Sequence, residues 1–167
     1  MTNRLFRSCA GGLGIDLSDS MIAIARRYFE RPPTRLFGVA DATGWVTRFS
    51  GESDFSKAVC YGSFMYFPPE RVGEFLTQLR QRFSSITRFF VGNLLNKSKI
   101  HDFLGPERYV SGIEDDHTPP FGIWRTEAEF ATLAGMAGWT VEFRRMPAEF
   151  YGSSYRYDAI LTPARPQ

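Results

Sequence analysis

The sequence lacks the features that mark several common classes of protein. It has only two cysteines, Cys9 and Cys60, and their spacing forms neither a metal-ligand pair nor a disulfide framework. Its formal net charge of +2 is too small to favour a nucleic acid or a membrane surface as a partner. No run approaches the roughly 20 apolar residues that cross a bilayer, and the apolar segment after residues 1–4 is too short for a signal peptide. We therefore expect a reduced, cytoplasmic protein without a metal site, and its oligomeric state stays open.

Aromatic residues, in contrast, are abundant. Phenylalanine occurs 16 times and tyrosine 7 times, which is more than a core of this size needs, so we expect some of these rings to line a pocket or an interface. The 167 residues fit a single domain, residues 1–167, with a hydrophobic core of its own. No internal repeat or linker divides the sequence.

Short β-type runs alternate along the chain with helical patterns. The runs lie at residues 13–16, 35–40, 55–61, 86–92, 140–146 and 155–162. This alternation predicts an α/β fold with a mostly parallel sheet. The last two runs could form an antiparallel pair that closes it.

Three helical patterns have clear starts. Ser18 begins the first, and its apolar residues share one face: Met21, Ile24, Ala25, Tyr28 and Phe29. Pro68 and Pro69 precede the second, whose apolar face contains Val72, Phe75, Leu76, Leu79 and Phe83. Thr126 and Glu129 have the spacing of a capping box that opens the third. A short helix is also expected near residues 97–104.

Polar or glycine residues follow three of the predicted strands. Asp16 and Asp41 end two of them, and Tyr61-Gly62 ends a third. Ligands of parallel sheets bind outside the carboxyl ends of the strands. Asp16 could accept hydrogen bonds from both hydroxyls of a ribose, and Asp41 with the backbone N–H of Ala42 could contact an adenine. Alternatively, each aspartate merely caps the structure that follows it; the pair together favours a nucleotide.

Several segments together resemble the class I S-adenosylmethionine-dependent methyltransferases. The similar segments are 14–26, 39–42, 54–67, 124–139 and 157–160. The resemblance covers residues 4 to 162 and implies a Rossmann-like three-layer sandwich with an antiparallel last strand, S-adenosyl-L-methionine as cofactor, and methyl transfer to a nucleophile. It assigns Asp16 to the ribose and Leu17 to the adenine face. It further implies that Asp41 and Ala42 contact the adenine edge, and that Tyr61 and Gly62 border the methionine part and the substrate entrance.

The sequence departs from this family at its start. Members begin with an apolar strand, an acid and a glycine-rich turn, whereas residues 1–7 here resemble the segment after that turn. Gly11 and Gly12 come too late to replace the turn and are interpreted as a helix stop. We therefore expect one central strand to be missing, which would leave backbone groups of its neighbours unpaired. Either the natural chain is longer, or the protein is a degenerate relative.

The candidate for acid–base chemistry is His117, which follows Glu114, Asp115 and Asp116. A histidine beside carboxylates can act as a base near neutral pH. The alternative interpretation, a polar surface loop, is favoured for this segment and more strongly for His101. Residues 93–124 are the expected substrate cover, which could be lined by Tyr66, Phe67, Tyr109, Phe121 and Trp124.

Two other functions stay open. A non-catalytic relative or partner subunit would explain the absent glycine turn. An NAD-dependent dehydrogenase also places acids at strand ends, but the glycine fingerprint is missing and none of the three lysines lies four residues after a tyrosine. The aromatic-rich cover and the near-neutral charge favour a small molecule or a sugar as methyl acceptor, with no nucleic acid and no membrane as partner.

Overall fold

The computed structural model describes residues 2–50, 54–105, 107–118, 120 and 122–165. The chain divides into two compact units, Met1–Gly51 and Glu52–Gln167, called here the N-terminal and C-terminal units. That residues 1–167 form one domain stays a prediction. None of the helices in the described ranges has both the length and the apolar character needed to cross a membrane.

The N-terminal unit contains a two-stranded parallel sheet and three helices. Its elements are α1 (Thr2–Phe6), β1 (Gly12–Asp16), α2 (Asp19–Phe29), β2 (Arg35–Val39) and α3 (Ala42–Arg48). Ser18 caps α2 as predicted, since its hydroxyl accepts a hydrogen bond from the N–H of Met21 over 3.3 Å. Helices α1 and α3 were not predicted from the sequence.

The face of α2 that packs inward differs from the predicted one. The core of this unit is formed by Phe6, Ile22 and Phe37, with Ala25 packed against them. Met21 and Tyr28, on the predicted face, are 57% and 55% exposed. Helix α2 carries two apolar stripes, and β2 packs against the one that contains Ile22. The periodicity of apolar residues in so short a helix could not show which of the two stripes packs inward.

Gly11 and Gly12 permit a close approach of two chain segments. A Cβ atom on Gly11 would lie 2.4 Å from the carbonyl oxygen of Thr34, and one on Gly12 would lie 2.5 Å from the Phe6 ring. Helix α1 already ends at Phe6. The interpretation of these glycines as a helix stop is therefore wrong; their small size lets β1 begin beside Thr34 and Phe6.

The C-terminal unit contains a five-stranded mixed sheet. Its strands are β3 (Lys57–Tyr61), β4 (Arg88–Asn96), β5 (Trp124–Arg125), β6 (Trp139–Arg144) and β7 (Arg156–Pro163). Its α-helices are α4 (Pro69–Arg82), α5 (Ile100–Leu104) and α6 (Glu127–Met136), with 3-10 turns at Phe64–Tyr66, Lys97–Lys99 and Ile113–Asp115. The strand order is β3-β4-β7-β6, with β5 beside the end of β4.

The strand directions confirm the predicted fold class. Strands β3 and β5 run parallel to β4, whereas β7 is antiparallel to both β4 and β6. The predicted inner face of α4 is buried from Val72 to Phe83. The capping box of α6 is also confirmed, because the N–H of Glu129 donates to Thr126 Oγ1 over 3.1 Å and the Glu129 carboxylate accepts from the Thr126 N–H over 2.7 Å.

The described strands form two sheets with no hydrogen-bonded path from one to the other. Strand β1 pairs only with β2, and β3 pairs only with β4, among the described residues. Each therefore has one edge without a strand partner in that part of the chain. That one central strand of the family's sheet is missing stays a prediction.

Candidate active site

The structure brings Asp16 and Asp41 to the same edge of the N-terminal sheet. Asp16 ends β1 and lies opposite Val39 of β2. The N–H of Ala40 donates to the carbonyl oxygen of Asp16 over 2.9 Å, which extends the ladder by one residue. Asp41 follows directly. Both acids thus lie at the carboxyl ends of parallel strands, where ligands of such sheets bind.

The carboxylate of Asp16 keeps unused hydrogen-bonding capacity. Its Oδ1 accepts the N–H of Ser18 over 2.9 Å, and the residue is exposed. Within the described ranges Oδ2 has no hydrogen-bond partner. Since an ionised carboxylate offers about four acceptor positions, Asp16 can still accept from two hydroxyl groups.

Asp41, by contrast, is already engaged as a helix cap. Its Oδ1 accepts the N–H of Thr43 over 3.3 Å, while Oδ2 accepts the Thr43 hydroxyl over 2.8 Å and the N–H of Gly44 over 3.0 Å. This is the capping alternative that the sequence left open. The cap holds Ala42 at the first position of α3, where a backbone N–H has no partner within the helix. We find no hydrogen bond from this N–H in the described part of the chain.

Leu17 lies beside these groups, between Asp16 and the cap of α2. It is 71% exposed. A single exposed leucine is ordinary on a protein surface, so exposure alone assigns it no role. Its position next to Asp16 leaves it available to cover a flat ring.

An open hollow of about 300 Å³ lies on the same unit. It is lined by Ala40, Trp45, Arg48, Phe49 and Ser50. The rings of Trp45 and Phe49 are 4.9 Å apart, one helical turn from each other on α3. This surface was not predicted from the sequence because α3 was not predicted. The pattern that could have indicated it is a capping aspartate, Asp41, followed by the aromatic residues Trp45 and Phe49 at positions i and i+4.

In the C-terminal unit, Tyr61 and Gly62 end β3 as predicted. Gly62 has φ of +70°, a conformation that glycine adopts without strain, and its N–H donates to the carbonyl oxygen of Gly92 over 3.0 Å. The Tyr61 ring lies against Gly92, where an added Cβ would be 2.4 Å from Tyr61 Cδ2. Tyr61 therefore packs on the neighbouring strand at the point where β3 ends.

Asn93 is a residue of this edge that the sequence analysis missed. It is the one non-glycine residue with positive φ, 68°, in the described ranges, and it lies at a bulge of β4 between Val91 and Leu94. Its N–H donates to Asp158 Oδ1 over 2.8 Å. The side-chain Nδ2 lies 3.4 Å from the place of a Cβ on Gly62. Bulges often redirect a side chain next to a site, and Gly92 within a strand pattern was the available signal.

His117 lies in the loop before β5 and is half-buried. The carboxylates expected to tune it are engaged elsewhere. Asp116 accepts the N–H and hydroxyl of Thr118 over 2.8 and 2.6 Å, and these bonds lower the pKa of Asp116. Glu114 accepts the Tyr109 hydroxyl over 3.0 Å. Among the described residues no hydrogen bond orients the His117 ring, so its role as a base stays a prediction.

The predicted lining of the substrate cover is mostly packing. Phe67 and Trp124 are 8% and 1% exposed and belong to the core. The Tyr109 ring packs against His101, with ring centroids 4.5 Å apart. Tyr66 is exposed, and its hydroxyl bonds the carbonyl oxygen of Pro120 over 3.4 Å. Phe121 lies outside the described residues.

The chain matches no protein-family model and no curated protein sequence. It does match solved structures. One is an S-adenosylmethionine-dependent methyltransferase from Clostridium acetobutylicum ATCC 824, with a TM-score of 0.71, 11% identity, and coverage of 98% of this chain and 79% of the other. Another is the magnesium protoporphyrin IX methyltransferase of Synechocystis PCC 6803 with bound SAH, with a TM-score of 0.64, 15% identity, and coverage of 96% and 68%. The chain has the class I methyltransferase fold.

A third similar structure is 1,6-didemethyltoxoflavin-N1-methyltransferase from Burkholderia thailandensis, with bound 1,6-didemethyltoxoflavin and S-adenosylhomocysteine. Its TM-score is 0.59 at 18% identity, over 92% of this chain and 61% of the other. At such identities the likeness establishes the fold. What the methyltransferase-like chain binds must be argued from its own residues.

Proposed function

We propose that this chain belongs to an S-adenosylmethionine-dependent methyltransferase that acts on a small-molecule or sugar-type acceptor. The observation that carries the proposal is the exposed carboxylate of Asp16, with one oxygen free of described partners, at the end of β1. The N–H of Ala42 lies at the end of the neighbouring strand. A carboxylate and a backbone N–H at adjacent strand ends are suited to a ribose and an adenine.

The residues present fit an adenosyl group in the following way. Asp16 would accept hydrogen bonds from the ribose hydroxyls, and Leu17 would cover the adenine. Ala42 would donate its N–H to a ring nitrogen, while Asp41 holds α3 in place and can share an acceptor lone pair with the adenine amino group. Tyr61 and Gly62 are assigned to the methionine part through the family resemblance. When bound, the cofactor supplies an electrophilic methyl group.

The chain's own contribution to the reaction is mainly positioning, because an in-line approach accounts for much of the rate of such a transfer. His117 is the proposed base, taking the proton of a hydroxyl acceptor. We propose a cytoplasmic location, which the two free thiols support. The near-neutral charge supports a small acceptor and no nucleic acid or membrane partner.

Calorimetric titration with S-adenosylmethionine tests the cofactor assignment. Asp16→Asn keeps an oxygen for the Ser18 N–H but removes the charge, and we expect it to weaken binding at least tenfold. Asp19→Asn is the matched control, since it removes an acid three residues later and should leave affinity unchanged. NAD, titrated in parallel, should not bind. No binding of S-adenosylmethionine to the unmodified chain would contradict the proposal, and equal affinity in Asp16→Asn would remove Asp16 from the site.

One observation favours a second candidate, a non-catalytic relative of the family. Strands β1 and β3 each have an edge without a described strand partner. Sheets with unpaired edges of this kind can keep the fold without a complete cofactor pocket. The same calorimetry separates the two functions, because this candidate predicts no cofactor binding.

A further inference from the structure

The half-buried side chain of Arg125 leaves one nitrogen of its guanidinium without a hydrogen-bond partner. Its Nη1 is closed to solvent and has no hydrogen-bond partner. In the described part of the chain the side chain also forms no ion pair. Burial lowers the pKa of Arg125. A charge that is partly withdrawn from water without an ion-pair partner costs stability, and this points to a role other than stability.

The nearby acids are held by another cation. Lys97 Nζ lies 3.9 Å from Asp115 Oδ1 and 3.8 Å from Glu129 Oε1. Glu129 Oε2 is also occupied, since it accepts from the Thr126 N–H and hydroxyl over 2.7 and 2.9 Å. Asp115 and Glu129 affect Arg125 only through longer-range electrostatic attraction, which raises its pKa. Among the described residues, Lys97 is therefore the cation that pairs with these two carboxylates.

Contacts other than ion pairs hold Arg125 in place. Its Cζ lies 5.8 Å from the centroid of the Phe64 ring, a distance at which a cation is attracted to the ring face. The Tyr157 hydroxyl donates to its carbonyl oxygen over 3.1 Å. Arg125 pairs with Asn96 at the carboxyl end of β4, and this is the edge at which ligands of parallel strands bind. The residue keeps part of its surface exposed.

We propose that Arg125 binds a carboxylate group of a small organic ligand, which under the proposed function is the methyl acceptor. The planar guanidinium matches a carboxylate, with two parallel N–H donors facing two oxygens. A ligand that reaches Nη1 has to displace the side chains that close this nitrogen to solvent. Lys97 and Arg125 balance Asp115 and Glu129, so a bound carboxylate leaves this cluster with one net negative charge. A phosphate monoester, with its charge of about −1.5 to −2 at pH 7, would leave the cluster more negative still, so the surrounding charges favour the carboxylate.

The test uses the whole chain without S-adenosylmethionine, so that its failure is distinct from failure of the methyltransferase proposal. Benzoate is titrated against protein observed through its arginine Nε–H NMR signals, with benzamide as the neutral analogue and inorganic phosphate as the competing anion. We expect benzoate to shift the Arg125 signal and benzamide to leave it unchanged. Benzoate shifts confined to other arginines, or tighter binding of phosphate, would overturn the proposal.

Variants give a second and independent readout. Arg125→Met keeps an apolar stem against Phe64 and removes the charge; we expect at least a tenfold loss of benzoate affinity and a higher thermal midpoint without ligand, because the unpaired charge is gone. Arg145→Met is the control, since Arg145 is exposed and already paired with Glu127, and it should retain benzoate binding. A large drop in the midpoint of Arg125→Met would show a structural role for Arg125 and contradict the inference.

Discussion

The two units differ in how deeply they bury their strands. In the C-terminal unit β4 contains Phe89, Val91, Leu94 and Leu95 at 0–3% exposure, and neighbours pair with it on both sides. In the N-terminal unit β1 has no fully buried residue and pairs only with β2 among the described strands. Its core cluster consists of three buried side chains.

Because of this difference, most of the residues that stabilise the fold lie in one unit and the residues proposed to bind the adenosyl group lie in the other. The contacts assigned to the adenosyl group lie on the thinly packed N-terminal unit, whereas most of the core lies in the C-terminal unit. Ligand-binding segments that unfold locally belong to the less stable regions of a protein. A ligand that binds only the folded form stabilises it by mass action, so cofactor binding should raise the stability of the N-terminal unit first.

The largest contrast should appear in thiol reactivity. Burial raises the pKa of the Cys60 thiol from 9.0 to about 12, although the residue as a whole is only partly buried. Cys9, in contrast, is exposed. The shift lowers the thiolate fraction of Cys60 about a thousandfold near pH 8, and thiolate is the reactive form. Iodoacetamide followed by peptide mass spectrometry should therefore label Cys9 of the N-terminal unit long before Cys60.

The raised pKa of Cys60 also makes the free energy of unfolding depend on pH. Because the pKa is higher in the folded state, the stabilisation from the protonated thiol is fully present below pH 9 and is lost as the pH rises toward about 12. Equal labelling rates for the two cysteines at pH 8 would contradict the burial of the Cys60 thiol.

Hydrogen exchange should give the next largest contrast. Amides of β4 and β7 belong to the best-buried ladder, so we expect their exchange to be about a hundredfold slower than that of β1 and β2. Mass spectrometry of peptides that cover these strands measures the ratio. Similar protection in both units would show that the thin packing of the N-terminal unit has no effect on its stability.

The smallest effect concerns the cap of α3. Asp41→Ala removes the acceptor for the N–H groups of Thr43 and Gly44, and we expect a loss of about 1 kcal/mol in the stability of the N-terminal unit. Trp45 fluorescence during urea unfolding can report on this unit when Trp124 and Trp139 are replaced by phenylalanine in every chain compared. Asp41→Ser, another good cap, should restore most of the loss; no difference between the alanine and serine variants would disprove the capping role.

The sequence was informative where a pattern is local. The capping box at Thr126 and the apolar face of α4 from Val72 to Phe83 were predicted correctly, because both depend on residues within a few helical turns. The strand ends at Asp16 and Gly62 were found for the same reason. These features need no knowledge of distant contacts.

The features that were missed depend on contacts between distant segments. The inner face of α2 is chosen by Phe37 of β2, and the role of Gly11 by Thr34, about 23 residues away along the chain. Asn93 takes its left-handed backbone within a bulge held by Asp158, 65 residues later. The sequence around Asp41 was compatible with both a helix cap and an adenine contact, and the hydrogen bonds of the folded chain show that Asp41 caps α3.

An NMR titration with S-adenosylhomocysteine tests the central claim most directly. The claim places the adenosyl group on the strand ends of the N-terminal unit, so the amide signals of Asp16, Leu17 and Ala42 should shift together and saturate at one ligand concentration. The Ala42 amide should move downfield as it gains an acceptor, and Asp16→Asn should raise the ligand concentration at which these shifts saturate at least tenfold. Saturating shifts elsewhere in the chain, with these three amides unmoved, would contradict the account.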